Sequence, residues 1–178
     1  MTGRVRMRTL LVICVLAMVP VGCGGRTSSS GSSASTVAAA VAPVGFHAVT
    51  ISIVHEDGSV ERRCVWLADD AASRERGLMG VTDPALGGRV GMVFSFPADT
   101  TTSFWMKDTP LPLSIAWFDA AGGFISAADM EPCPSTTANC PTYPAARPYR
   151  LALEVPMGGL ATLGIDERAK VSLSSSCD

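Results

Sequence analysis

Lysine and histidine are almost missing from this 178-residue chain, which has only Lys107, Lys170, His47 and His55. With no basic stripe and no aromatic interleaving of its arginines, it shows neither a nucleic-acid footprint nor a polybasic membrane patch. The histidines bracket one strand-like segment. At about 3.3 Å per residue their eight steps span about 26 Å, so they cannot share a metal ion if that strand forms. The templates G-x-S-x-G and H-E-x-x-H and a phosphate-binding glycine loop are absent, which removes the motif-bearing hydrolases and nucleotide enzymes. Long apolar runs are absent too. The longest, Leu10 to Val21, is roughly 12 residues where a spanning helix takes about 20.

What that run does resemble is a targeting segment. Arg4, Arg6 and Arg8 precede it and the small residue Gly22 follows, so residues 1–22 are expected to be a signal peptide. The junction Pro20-Val21-Gly22-Cys23 resembles a bacterial lipobox, with Pro20 standing where leucine is usual, and this implies lipidation at Cys23. Two or three acyl chains at about 0.8 kcal/mol per buried CH₂ hold a protein on a membrane without a spanning helix. Residues 23–43, rich in serine, glycine and alanine and without apolar periodicity, are expected to form a flexible tether. Residues 44–178 match the size of one domain.

Without residues 1–22 the chain keeps eleven basic against sixteen acidic residues, a net charge of −5. It also keeps four cysteines besides Cys23. An even number in an oxidising compartment points to disulfides. Cys133 and Cys140 flank a short polar loop and are expected to pair, leaving Cys64 for Cys177. A metal site would call for C-x-x-C spacing or a nearby histidine, and neither pair has one.

Strand signals dominate residues 44–178. Val49, Ile51 and Ile53 fall on one face of His47–His55, and after the Asp57-Gly58 turn the segment Val60–Leu67 completes a hairpin. Asp69 or Asp70 can cap a helix over Ala71–Met79 that ends at Gly80. Short strands follow around 91–96, 103–107, 113–118 and 124–130. In the segment 149–155, alternation puts Tyr149, Leu151, Leu153 and Val155 on one buried face. A helical turn near 159–163 and a last strand over 169–173 complete the chain. The expected class is mainly β: a compact antiparallel β-sandwich or distorted barrel with one or two short helices.

Arg76-Gly77-Leu78-Met79, Gly91-Met92-Val93-Phe94, Phe104-Trp105-Met106-Lys107-Asp108-Thr109, Pro132-Cys133 with Cys140 and Tyr143, and Leu153-Glu154-Val155 occur in this order. They resemble the successive motifs of the domain of unknown function 192 family over about residues 48–173. The resemblance implies a compact, mostly antiparallel, jelly-roll-like fold that is often exported. It supplies no reaction. The chain departs from the family at Asp108, usually asparagine, at Gly80, usually a large residue, and at Ser114, usually acidic.

Among residues able to carry chemistry, Asp129 and Glu131 sit two apart at a strand end and could share a face, the minimum for acid–base work; a solvated strand end is the plainer account of them. Lys107 and Asp108, if in a strand, point to opposite faces. Trp105 with Lys107, Thr109 and Arg76 could form an aromatic plate beside cationic donors, suited to a carbohydrate or an anionic ligand; alternatively Trp105 is core and the cations are solvated. Met79, Met92, Met106, Met130 and Met157 form no M-x-M cluster and read as core filling rather than copper ligands. The sequence therefore points to an extracytoplasmic, envelope-anchored, non-catalytic module binding a small ligand, glycan or envelope protein through Arg76, Trp105, Lys107, Asp108, Thr109, Glu131 and Tyr143. No cofactor, metal or nucleic acid is implied. A hydrolase or lyase acting on envelope or external polysaccharide is the alternative.

Overall fold

The computed structural model describes residues 40–177 apart from 135 and 137. The expected signal peptide, Cys23 and nearly all of the expected tether lie outside the described residues. At its described end, Val41 donates from its N–H to Thr82 Oγ1 at 2.7 Å, and its carbonyl accepts from the amides of Thr82 and Asp83.

In chain order the elements are β1 (His47–Val54), β2 (Val60–Ala68), α1 (Ala71–Arg76), β3 (Met92–Thr100), β4 (Phe104–Trp105), β5 (Leu113–Phe118), β6 (Phe124–Met130), β7 (Thr142–Tyr143), β8 (Tyr149–Pro156), α2 (Gly159–Thr162) and β9 (Lys170–Ser176). Seven strands form one sheet in the order β6-β5-β8-β3-β2-β1-β9, and β4 pairs with β7 separately. Mainly β, with two short helices, is thus the class found. The pairing is mixed, however, rather than antiparallel throughout, because β2 and β3 run parallel from Trp66 opposite Met92 to Ala68 opposite Phe94. Parallel neighbours need a long crossover. Residues 69–91 supply it, and that crossover carries α1 across one face of the sheet.

In place of a two-layer sandwich or a closed barrel, the strands make one open, mixed sheet. The outermost strands approach at one point, where Gly123 bridges Lys170 and the Val171 amide donates to the Gly122 carbonyl at 2.9 Å. Gly122 has φ +78°, and a Cβ there would stand 1.9 Å from the Val171 carbonyl oxygen. Gly122→Ala combines a left-handed backbone with a backbone clash, so it is expected to lower stability by on the order of 3 kcal/mol, measured by urea unfolding.

Apolar residues fill both faces of the curled sheet. Ile51, Ile53, Val65, Val93, Phe118, Leu153 and Val155 pack on one side with Leu160, Leu163 and Ile165 from around α2. Met92, Phe94, Met106, Leu113, Ile115, Trp117 and Tyr149 pack on the other, under the crossover and residues 104–111. The β5 sequence LSIAWF is buried at every position, as a strand covered on both faces must be. Tyr149 lies with the second group, apart from Leu153 and Val155. The β3–β8 ladder jumps from the Ser95–Leu151 pair to the Thr100–Tyr149 pair, and this break ends the alternation expected of β8.

Both expected disulfides, Cys64–Cys177 and Cys133–Cys140, are present. They indicate an oxidising, extracytoplasmic compartment. No helix among the described residues is long and apolar enough to cross a membrane.

Candidate functional site

The crossover brings α1 opposite the segment 104–109. Asp70 caps the helix, accepting from the Ala72 and Ser73 amides at 2.9 and 3.0 Å, while Ser73 Oγ accepts from the Asp70 amide at 3.1 Å. These bonds hold the Asp70 carboxyl below the usual carboxylate range. The helix ends at Arg76, shorter than the expected run to Met79, because Gly77 takes φ 46° and ψ −131°. A Cβ on Gly77 would lie 3.1 Å from the Phe94 ring, so the chain can press against the sheet here only without a side chain.

Facing α1, Phe104 and Trp105 pair with Tyr143 and Thr142. Met106 is buried, and Lys107 and Thr109 bridge to Cys133, whose amide donates to the Thr109 carbonyl. The Cys133–Cys140 disulfide therefore braces this segment from behind. Asp108 adopts φ 54°, a left-handed conformation that aspartate and asparagine tolerate better than most residues. Its carbonyl accepts from the Gly80 amide at 2.8 Å, tying the end of the α1 turn to the segment. Lys107 and Asp108 are thus in a kinked loop, and the opposite-face expectation for a strand does not apply.

Trp105 is 48 % exposed, which rules out its reading as core. Lys107 Nζ sits 5.3 Å from its ring centroid. An open cleft of about 380 Å³ lies against Phe94, Phe96, Thr102, Phe104 and Trp105, and another of about 400 Å³ against Glu75, Arg76, Met79, Trp105, Lys107 and Asp108. A narrower slot of about 40 Å³ shares Glu75 and Trp105 with both. Of the residues singled out in the sequence, Arg76, Trp105, Lys107, Asp108 and Thr109 converge here. Glu131 and Tyr143 do not line these spaces: they bond each other, the Glu131 amide donating to the Tyr143 hydroxyl at 3.3 Å. Asp129 accepts from Ser114 Oγ at 2.5 Å, which leaves it exposed at the strand end and away from the groove.

Most of the cationic charge at the groove is already engaged. Arg74 donates to the Ser95 carbonyl at 2.8 Å and lies 5.1 Å over the Phe96 ring. Arg76 lies 4.2 Å over the Phe46 ring and donates to the Gly45 carbonyl at 3.4 Å. Among the described residues Lys107, unlike the two arginines, makes no such tie beyond the Trp105 face.

One residue of the slot was not singled out in the sequence. Glu154 is 4 % exposed and lines the slot with Gly77, Leu78, Phe94, Phe104, Trp105 and Thr109. Burial pushes its carboxyl up to about 8, and no hydrogen bond from the described residues opposes it. Glu154 stands opposite Met92 of β3 and Ile115 of β5. Gly91 must lack a side chain here, because a Cβ would lie 2.3 Å from the Glu154 carbonyl oxygen. No local pattern marks it: its burial follows from β3 and β5, which flank β8 and leave its second face covered as well. Among the described residues there is no group of three or more histidine, cysteine or acidic side chains that could hold a metal ion.

The model of the DUF192 family, described as an uncharacterized ACR, matches residues 52–173. The chain belongs to the DUF192 family. All the groove residues named above fall within the matched span. Among solved structures, the DUF192 domain is similar to a Novosphingobium aromaticivorans protein of unknown function, at 29% identity over 84% of this chain and 99% of that one, with a TM-score of 0.60. It is also similar to a Sinorhizobium meliloti protein proposed to be a transcription regulator, at 23% identity over 74% of this chain and 97% of that one, with a TM-score of 0.61. The second likeness is one of fold alone. No curated protein matches the chain.

Proposed function

We propose that this DUF192 protein is a non-catalytic ligand-binding module of the bacterial cell envelope, delivered by a signal peptide over residues 1–22 and held on a membrane through acyl chains on Cys23. The observation that carries the binding reading is Trp105, a half-exposed indole standing between two open clefts with Lys107 over its face. An exposed aromatic face beside polar donors takes a flat or ring-shaped ligand by stacking, and the polar groups set its orientation. The partner is a small ligand or glycan bound at this groove, with an envelope protein as the other candidate occupant.

Trp105→Ala is expected to weaken ligand binding tenfold or more while changing stability by about 1 kcal/mol or less, since the side chain is not part of the core. Native mass spectrometry of the protein drawn gently from its host envelope, before and after denaturation, identifies the retained mass. Loss of that mass in the Trp105→Ala protein supports the reading; full retention overturns it.

The alternative, a hydrolase or lyase acting on polysaccharide, gains from one observation: Glu154 keeps a proton at neutral pH beneath an aromatic plate, as a general acid must. The other carboxylate on the slot is the exposed Glu75. Release of a saccharide product by the wild type and not by Glu154→Gln would favour this alternative over the binding module.

A further inference from the structure

We infer that the slot beneath Trp105 selects the class of ligand: Glu154 at its floor receives one neutral, hydroxyl-bearing arm of a polyol or saccharide and rejects a charged one. The inference rests on the groove reading above and specifies what the groove takes.

Size comes first. About 40 Å³ is room for one or two water-sized groups, enough for a hydroxyl or hydroxymethyl but not a ring. The ring would stay outside against Trp105 while one arm enters.

Polarity decides the rest. The slot is lined by Arg74, Glu75 and Arg76 on the α1 side, by the apolar Leu78, Met79, Phe94 and Phe104, by Thr109 and by Glu154. The Thr109 hydroxyl is already donated to the Lys107 carbonyl at 3.2 Å. Of the charged groups facing Glu154 from α1, Arg74 and Arg76 turn their guanidinium groups to Ser95, Phe96, Gly45 and Phe46, and Glu75 stands exposed on the rim. From 104–109, Lys107 and Asp108 line the outer cleft rather than the slot. Strands β3 and β5 present Met92 and Ile115 beside it. An anionic arm entering the slot would meet only arginines whose guanidinium groups are already turned to other partners, beside the carboxyl of Glu154, and would lose its hydration with little repayment. An ammonium arm would need an ionised Glu154, whose own burial opposes that charge. A hydroxyl needs neither. A protonated carboxyl offers one donor and a spare acceptor, and a hydroxyl answers both.

The test uses three probes of matched shape: a β-linked glucose trisaccharide, the same trisaccharide with its terminal hydroxymethyl oxidised to a uronate, and the same with a 6-amino group. Binding is read by calorimetry, with the change in tryptophan fluorescence of the wild type beside that of Trp105→Ala, on protein checked for folding by circular dichroism. The neutral probe is expected to bind at least tenfold more tightly than either charged one at pH 6. Its affinity for the wild type should fall at least tenfold at pH 9, where Glu154 is ionised, and stay level for Glu154→Gln. Glu154→Leu should bind weakly at both pH values.

Equal or tighter binding of a charged probe, or no binding of any of the three, overturns the inference. If Trp105→Ala weakens binding but Glu154→Leu and pH do not, the slot has no selective role and the groove reading stands. Binding that survives Trp105→Ala unchanged removes the groove reading and this inference with it.

Discussion

Between pH 4.5 and about 8 the folded protein is expected to lose on the order of 4 kcal/mol of stability, and Glu154→Gln to lose almost none over the same range. Below pH 4.5 the Glu154 carboxyl is protonated in the folded and the unfolded chain alike. As pH rises, the unfolded chain gives up this proton near 4.5 while burial keeps it on the folded chain, so the unfolded state gains and stability falls. Near pH 8 the folded protein must ionise the buried group as well, and the loss is then complete. Asp57 and Asp70 act in the opposite sense. Hydrogen bonds from Ser59 and Ser73 hold their carboxyls below the usual range, so what they contribute fades as pH drops through their folded values. The optimum should therefore be mildly acidic, around the ordinary carboxyl range, rather than neutral. Urea unfolding at half-unit pH steps, wild type beside Glu154→Gln, measures the slope directly. A flat wild-type profile above pH 5 would mean that Glu154 carries its charge in the folded state.

The second large effect is expected from the Cys64–Cys177 disulfide. Its partners are 113 residues apart, whereas Cys133 and Cys140 are separated by 7. In the chain-entropy account the longer loop restricts the unfolded chain more, which is worth about 4–5 kcal/mol against about 2–3 for the short one. Replacing Cys64 and Cys177 together by serine should lower the unfolding free energy by roughly that larger amount. A domain whose whole margin is about 5–15 kcal/mol then sits close to its limit. The Cys133→Ser and Cys140→Ser pair should cost less in overall stability but disturb the groove, since Cys133 is the bridge partner of both Lys107 and Thr109. Thermal melts of the two double variants, with and without a reducing agent, separate these effects. Equal losses from both would show that loop length is not what governs them.

Local patterns carried the first hairpin, because Val49, Ile51 and Ile53 alternate and Asp57-Gly58 supplies the turn. The same logic overran at α1: the helix reading passes through Gly77 to the later stop at Gly80, whereas the positive φ of Gly77 and the nearby Phe94 ring end the helix at Arg76. The parallel pairing of β2 with β3 depends on where a 23-residue crossover lands, a long-range outcome with no local signature. The groove was legible where its residues are consecutive, in 105–109, and less so where they meet across the fold. Glu131 and Tyr143 belong to a neighbouring pair instead. Glu154 escaped notice because alternation marks one face of a strand as buried and leaves the other to be read as solvent; its burial follows only once β5 and β3 are known to flank it.

The contact between Gly123 and Lys170 bears on how such molecules behave when crowded together. An outer strand with unpaired amides and carbonyls is a template on which another chain can add. Here the approach of the two outer strands occupies the start of β9, and the rest of β9, VSLSSS, presents mostly serine. A foreign strand laid on it would gain hydrogen bonds but cover little apolar surface, so strand addition at this edge has little to drive it. Neighbouring copies, even at high density, would meet this edge through side chains rather than through its backbone.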